Sequence, residues 1–506
     1  MFHSLEDNVI CALATPMGRG AVATVRVSGK EALKTVASLL DEPKKSEILN
    51  AEGYTLHYAE ISTKGEVLDQ VVLAVFKAPH SYTGEDSVEI SCHCSQFIIT
   101  ELLDLLYSAG AKLAEPGEFT KRAFLNGKMD LAQAESVADL IESETAAAHR
   151  IAMNQMKGGF SKELAAMREQ MLKLVSLMEL ELDFSEEDVE FADRSELKQL
   201  LDAVTARIDS LMAGFRLGNA IKNGVPVAIV GATNTGKSTL LNLLLGEERA
   251  IVSPISGTTR DSIEDTVNID GILFRFIDTA GIRNTTETIE LIGIERTFYK
   301  IRQAQVVMLM LDAEHPENFD DSIKSLQAKL QDTGSYTDEE SVGKGWHKDV
   351  ILLLNKCDLT ESGMPGSAAE VKAGASARIG SPILSEMLDF VRKSAAESGL
   401  SPLAVLPISA LKEEGIAELR KVLSDSQNSL RTAPDQTLIT NMRHYEALRS
   451  ANEALDRVKD GLSRNLSTDL LTQDLREALY FIGSIVGEVQ TPEILDNIFK
   501  NFCIGK

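Results

Sequence analysis

The octapeptide Gly231-Ala232-Thr233-Asn234-Thr235-Gly236-Lys237-Ser238 constrains this chain more than any other stretch. It follows the apolar run Val227-Ala228-Ile229-Val230 and opens a helical stretch, Thr239 to Leu245. A G-x-x-x-x-G-K-[ST] loop in that context is a phosphate-binding loop. Its glycines let the backbone curl until N–H groups point at phosphate oxygens. Lys237 brings a point charge to the β- and γ-phosphates, and Ser238 offers a hydroxyl to Mg²⁺.

Four further segments follow in order. Thr258-Thr259-Arg260-Asp261 contains Thr259, the expected second Mg²⁺ ligand. Asp278-Thr279-Ala280-Gly281 follows the strand-like Phe274 to Ile277; Asp278 suits the Mg²⁺ shell and the Gly281 N–H suits the γ-phosphate. Asn355-Lys356-Cys357-Asp358 follows the apolar run Val350 to Leu354. A carboxylate at Asp358 accepts hydrogen bonds from N1 and the exocyclic N2 of guanine. Adenine has neither donor, so Asp358 selects GTP over ATP. Ser409-Ala410-Leu411 closes the base pocket with a backbone N–H to O6. Between Gly224 and Leu430 such apolar runs, with Val306 to Leu311 among them, alternate with helices, which predicts a mostly parallel α/β sheet.

Small GTPases place a Gln after the glycine of D-x-x-G to orient water. Here that residue is Ile282, which cannot do so. Glu287, Glu290 and Glu295 are the nearby alternatives, each equally readable as a solvated helix residue. Asn234 puts a side-chain amide inside the phosphate loop. It suits either a monovalent cation beside the phosphates or an ordinary turn.

The chain is 506 residues long, which calls for two to four domains. Residues 1–120 mix strand-like runs (Val22 to Val27, Val71 to Phe76) with a helix at Phe97 to Tyr107. Leu131 to His149, Ser161 to Leu182 and Ser195 to Leu217 have helical spacing, and the chain is helical again after Leu430. The order predicts a helical domain interrupted by an inserted α/β domain. Residues 313–349 and 360–400 look long for connections and are read as containing peripheral insertions. No apolar run reaches the roughly eighteen residues of a bilayer span, and the start lacks a secretory pattern. Five scattered cysteines fit a reduced, cytoplasmic setting. The net charge of −25 argues against broad nonspecific nucleic-acid binding.

Longer motifs carry a family likeness. They are Ala14-Thr15-Pro16-Met17-Gly18-Arg19-Gly20, Arg26-Val27-Ser28-Gly29, Ser81-Tyr82-Thr83-Gly84-Glu85-Asp86, Pro116 to Lys128, Asp130-Leu131-Ala132-Gln133-Ala134-Glu135, Ile292-Gly293-Ile294-Glu295-Arg296 and the final Cys503-Ile504-Gly505-Lys506. With the nucleotide motifs, they resemble the tRNA-modification GTPases of the MnmE/TrmE family along essentially the whole chain.

The resemblance implies a multidomain α/β plus all-α fold. Residues 1–121 would be an α+β tetrahydrofolate-binding and dimerisation domain. Residues 122–222 and 430–506 would be the two parts of a helical domain. Residues 223–429 would be an inserted Ras-like P-loop GTPase domain. It implies a potassium-activated GTPase, a homodimer that forms a heterotetramer with an FAD-dependent MnmG-type partner. Together they would add an aminomethyl-type or carboxymethylaminomethyl group to C5 of the wobble uridine of tRNA. The one-carbon unit would come from 5-formyl- or methylene-tetrahydrofolate. The GTP contacts implied are Asn234, Thr235, Gly236, Lys237, Ser238, Thr239, Ser253, Thr258, Thr259, Asp278, Thr279, Ala280, Gly281, Asn355, Lys356, Asp358, Ser409, Ala410 and Leu411. Asn234, Ser253, Ile255 and Thr258 would hold K⁺, and Ser238 and Thr259 Mg²⁺. Glu290 would act on water through a second water. Arg26, Glu89, Lys128 and Lys506 would contact folate. Cys503 would serve the modification reaction, or would be a small buried hydrophobe.

Two departures stand out. Thr233 replaces the family's usual Pro, and His93-Cys94-Ser95 replaces its His-Gly-Gly. Cys92-His93-Cys94 has the look of metal ligands, but no second ligand pair with suitable spacing accompanies it. The competing function is a regulatory RNA-binding GTPase of ribosome assembly, which a basic appendage after the nucleotide domain would favour.

Overall fold

The computed structural model describes residues 8–183, 194–246, 265–277, 301–332, 348–359, 382–431, 437–464, 466–489, 491–500, 502 and 504–505. The chain divides into two compact units. One comprises Met1–Glu142, Ile151–Ala213 and Asn441–Lys506; the other comprises Ser143–Arg150 and Gly214–Thr440.

The first unit begins with a six-stranded sheet: β1 (Ile10–Leu13), β2 (Val22–Ser28), β3 (Thr55–Thr63), β4 (Glu66–Phe76), β5 (Ser87–His93) and β6 (Lys112–Leu113), in the order β3-β4-β5-β2-β1-β6. Alternation along β2 sends Ala23, Val25 and Val27 into a core with Leu73, Val88, Ile90 and Leu102. The opposite face of β1 carries Ile10 and Ala12, packed with Phe119 of the helix Glu118–Leu125. Strand register places Arg26 of β2 directly opposite Glu89 of β5.

The departure at His93-Cys94-Ser95 is accommodated without glycine. Ser95, in extended conformation, is the N-cap of the helix Gln96–Ser108, while the backbone N–H and Nδ1 of His93 meet the two oxygens of Asp69. Cys92 points into the core, 3% exposed.

The helical part is built on Gly159–Asp183, Met442–Ser463 and Thr468–Val486. Leu448, Leu455, Leu475 and Ile482 recur at helical spacing and are buried. Gly487 ends the last helix at φ 88°, and a Cβ there would collide with the Phe124 ring. The single helix expected over Leu131 to His149 is two, Leu131–Glu142 and Ala146–Met156. The break has a local cause. Thr145 Oγ1 accepts from the Ala148 N–H, as an N-cap does, and starts a new helix.

The second unit holds β7 (Val225–Gly231), β8 (Asp265–Ile269), β9 (Ile272–Phe276), β10 (Val306–Asp312), β11 (Asp349–Asn355) and β12 (Ala404–Pro407), ordered β12-β11-β10-β7-β9-β8. All neighbours are parallel except β8 and β9, which form a hairpin through Asp270 (φ 52°) and Gly271 (φ 82°). β7, β10 and β11 are apolar through their interiors because helices cover both faces of a parallel sheet. Two of those helices, Phe319–Asp332 and Pro382–Glu397, lie in the segments expected to contain peripheral insertions. Phe319, Ile323, Leu326, Leu384, Met387 and Val391 are buried against the sheet, so these stretches belong to the core of the fold. Each supplies the crossover that parallel strands require; residues 333–347 and 360–381, where an insertion would fall, lie outside the described residues. Among the described residues no helix is long and apolar enough to cross a membrane.

Candidate nucleotide-binding site and a second pocket

In an open parallel sheet, ligands sit beyond the carboxyl ends of the strands. The loops after β7, β10, β11 and β12 gather there. The turn after β7 bends through Gly231 (φ 150°), Asn234 (φ 63°) and Gly236 (φ 96°). A Cβ on Gly231 would meet Met310 O, and one on Gly236 would strike the Asn355 amide. Both glycines are therefore required by close approach as well as by conformation. Asn234 and Thr239 are exposed, Thr235 is buried, and Thr235 Oγ1 donates to Ala232 O at 3.0 Å. Lys237 and Ser238 open the helix Lys237–Gly246, and Lys237 Nζ donates to the carbonyls of Gly231 and Ala232. A curled loop at a helix N-terminus is suited to an anion.

The end of β11 ties this loop to a second one. Asn355, 3% exposed, donates through Nδ2 to Thr235 O at 2.7 Å and accepts at Oδ1 from the Ala410 N–H at 3.0 Å. Ser409 Oγ donates to Asp358 Oδ1 at 2.7 Å. Leu411 is exposed. Lys356, at φ 64°, turns its ammonium to Asp312 Oδ2 (2.6 Å) and Glu314 Oε2 (3.0 Å) at the end of β10. The hydrogen bond to Asp312 heads the causes that raise the Lys356 pKa above the ordinary lysine value. Asp312 and Glu314 were not foreseen from the sequence, because neither belongs to a nucleotide motif.

Ser253, Ile255, Thr258, Thr259, Asp278, Thr279, Ala280, Gly281, Ile282, Glu287, Glu290, Glu295, Cys503 and Lys506 lie outside the described residues.

A second cluster of polar and aromatic side chains lies in the first unit. Arg26 Nε and Nη2 both reach Glu89 Oε1, at 3.0 and 2.8 Å. Its guanidinium lies 5.3 Å from the Tyr82 ring centre and 5.6 Å from that of Phe119. Its Nη1 donates to the Gly505 carbonyl at 3.3 Å. Gly505 (φ 91°) is packed so closely on Leu13 and Ala14 that a Cβ would overlap Leu13 O. Burial pushes the Tyr82 phenol above its ordinary pKa, and its hydroxyl pairs with Thr120 Oγ1 at 2.9 Å. Lys128 Nζ donates to Pro79 O at 2.9 Å, on the loop that carries Tyr82. Tyr82 and Phe119 belong to the motifs Ser81–Asp86 and Pro116–Lys128, which by themselves give neither residue a role. Their contact with Arg26 has no periodic signal in the sequence.

The doubly wound sheet, the curled loop after β7 and the Asn355 bridge define a P-loop nucleotide-binding protein. The model of the MnmE helical domain matches residues 131–503, and that of the GTP-binding protein TrmE N-terminus matches residues 9–128. The chain belongs to the MnmE/TrmE family. It is 47% identical over 503 residues to the tRNA modification GTPase MnmE of Bacteroides thetaiotaomicron, covering 99% of this chain and 100% of that one. It is 47% identical over 504 residues to the protein of that name from Parabacteroides distasonis, with the same coverage of both. A crystal structure of a GTP-binding protein from the hyperthermophilic archaeon Sulfolobus solfataricus in complex with GDP aligns at a TM-score of 0.27 and 20% identity. It covers 52% of this chain and 67% of that one, and such a score carries no argument.

Proposed function

We propose that this chain is a cytoplasmic, potassium-activated GTP hydrolase that works in the modification of the tRNA wobble uridine. The observation that carries the reading is the Asn355 bridge. One side chain couples the phosphate loop, through Thr235 O, to the Ser409–Leu411 turn, through Ala410. Phosphate end and base end are thereby held at one spacing. Asp358, oriented by Ser409, accepts the guanine N1 and N2 protons. Lys237 and the loop N–H groups receive the phosphates. Ser238 and Thr239 at the helix start complete the loop side, and Thr258, Asp278, Thr279, Ala280 and Gly281 would add the remaining GTP contacts. Ser238 and Thr259 would hold Mg²⁺, which supplies charge neutralisation between the β- and γ-phosphate oxygens. The exposed amide of Asn234, with Ser253, Ile255 and Thr258, would hold K⁺. With Ile282 unable to orient water, Glu290 takes that role through a bridging water.

The Arg26 pocket fits a reduced folate: a cation clasped by Glu89 and flanked by two aromatic rings. Lys128 and Lys506 join it, and Cys503 serves the modification step. On this reading the domains run 1–121, 122–222, 223–429 and 430–506. The working assembly is a homodimer with an FAD-dependent MnmG-type partner. Nucleoside analysis of tRNA from a deletion strain tests the function; unmodified wobble uridine is expected, and normal wobble uridine would refute it. Hydrolysis in K⁺ against Na⁺ tests the cation, with equal rates removing Asn234 from that role.

A further inference from the structure

Within the Asn355-Lys356-Cys357-Asp358 turn, each residue is fixed differently. Asn355 is held by Thr235 and Ala410, and Asp358 by Ser409. Cys357 is buried, with its N–H on Ile408 O. Lys356 is fixed by charge from another strand. Asp312 is the last residue of β10; its side chain is 10% exposed. Its Oδ1 accepts the Glu314 N–H at 3.1 Å, which orients the carboxylate, and its Oδ2 takes Lys356 Nζ at 2.6 Å. Glu314, 41% exposed, adds a second oxygen at 3.0 Å.

We propose that Asp312, backed by Glu314, is a positioning residue for purine binding: it pins the Lys356 ammonium to the end of β10, so that the lysine's alkyl stem is held as one wall of the base site. The proposal rests on the nucleotide reading of this site. A left-handed backbone at Lys356 starts the side chain in a direction that an exposed lysine would otherwise leave in many rotamers. The carboxylate of Asp312 removes that freedom before ligand arrives, so less ordering is left for binding. A hydrocarbon stem packs against any purine ring and reads no hydrogen-bonding edge. Guanine selection therefore stays with Asp358, while Asp312 sets affinity common to all purines.

The test measures Kd of GDP and of IDP, which lacks the exocyclic amine, for the full-length wild type, D312N, K356M and the double variant. D312N is expected to weaken both nucleotides by one common factor of about tenfold, leaving their ratio unchanged. Adding D312N to K356M is expected to cost less than about twofold more, because the two act through one interaction. Wild-type affinity in D312N, or independent multiplication of the two effects, overturns the proposal. So does a changed GDP-to-IDP ratio, since that would place Asp312 with Asp358. Should D312N fail to fold, K356M decides, because methionine keeps an apolar stem but cannot be pinned by Asp312: equal loss for both nucleotides supports the pinning, and undiminished binding refutes it. A wild type that binds neither nucleotide refutes the site reading itself, which is a separate result from any of these.

Discussion

Glu135 Oε2 accepts a hydrogen bond from His444 Nε2 at 2.7 Å, joining residues 309 positions apart inside the first unit. Arg443 closes on the same carboxylate with Nε at 2.9 Å and Nη2 at 2.8 Å, and Asn441 Nδ2 adds a bond at 3.1 Å. Arg443 also donates to the carbonyls of Ser484 and Ile485, at the end of the helix Thr468–Val486, where a cation is favoured. One carboxylate thus ties the start of one helix to the end of another. Replacing Glu135 by Ala leaves the half-buried Arg443 guanidinium without its counter-charge and His444 Nε2 without its partner, and is expected to destabilise this unit by about 3 kcal/mol. Denaturant unfolding followed by circular dichroism reads the loss; a change below about 1 kcal/mol would show that the cluster contributes little.

The same carboxylate predicts a pH dependence. Burial alone would raise the Glu135 pKa, but His444 and Arg443 outweigh it and bring it down to about 2 from an ordinary 4.5. A depressed carboxylate stabilises the fold fully above its unfolded value and loses that contribution as pH falls. Stability should therefore decline between pH 4.5 and about 2 more steeply in the wild type than in Glu135→Gln. Parallel acid-unfolding curves for the two proteins would contradict this.

Replacing Asn355 by Ala breaks both arms of its bridge. The loss should be about 2 kcal/mol or more of nucleotide affinity, a ~30-fold rise in Kd for GDP and GTP alike. Titration with a fluescent nucleotide analogue measures it. Because Asn355 makes no distinction between bases here, the preference for guanine should survive.

Arg26→Met keeps most of the side chain's packing between Tyr82 and Phe119 but removes its charge. Binding of 5-formyltetrahydrofolate, followed by calorimetry, should weaken by about tenfold or more. Undiminished folate binding would take Arg26 out of the pocket's chemistry.

Glu290→Ala should abolish GTP hydrolysis and leave GDP affinity near the wild-type value. Single-turnover hydrolysis at saturating nucleotide gives the answer, and retained turnover would exclude Glu290 from activating water.

The sequence was most legible where chemistry forces backbone shape. The phosphate loop, the strands β7, β10 and β11, and the Asn355–Asp358 turn all follow from apolar runs and obligatory glycines. The helix expected over Leu131 to His149 failed because Ser143-Glu144-Thr145 holds neither Gly nor Pro to announce a break, while a capping hydroxyl at Thr145 resets the hydrogen bonding. The crossover helices Phe319–Asp332 and Pro382–Glu397 were hard to see because their exposed faces are polar and only one stripe meets the sheet. Side-chain partners from distant segments were the least legible. Arg443 and His444 reach Glu135, and Asp312 reaches Lys356, through tertiary contacts that no local spacing encodes.

The bond from Arg26 to the Gly505 carbonyl spans 479 positions. The strand that carries Arg26 pairs with β1 and β5, which end by His93, so the three can assemble long before Gly505 is made. The pocket's remaining wall arrives only when the segment around Gly505 has been synthesised and has docked on Leu13 and Ala14. A growing chain on the ribosome can therefore hold a folded first sheet while its pocket is still unfinished. Completion of the Arg26 cluster then waits on a segment 479 positions downstream.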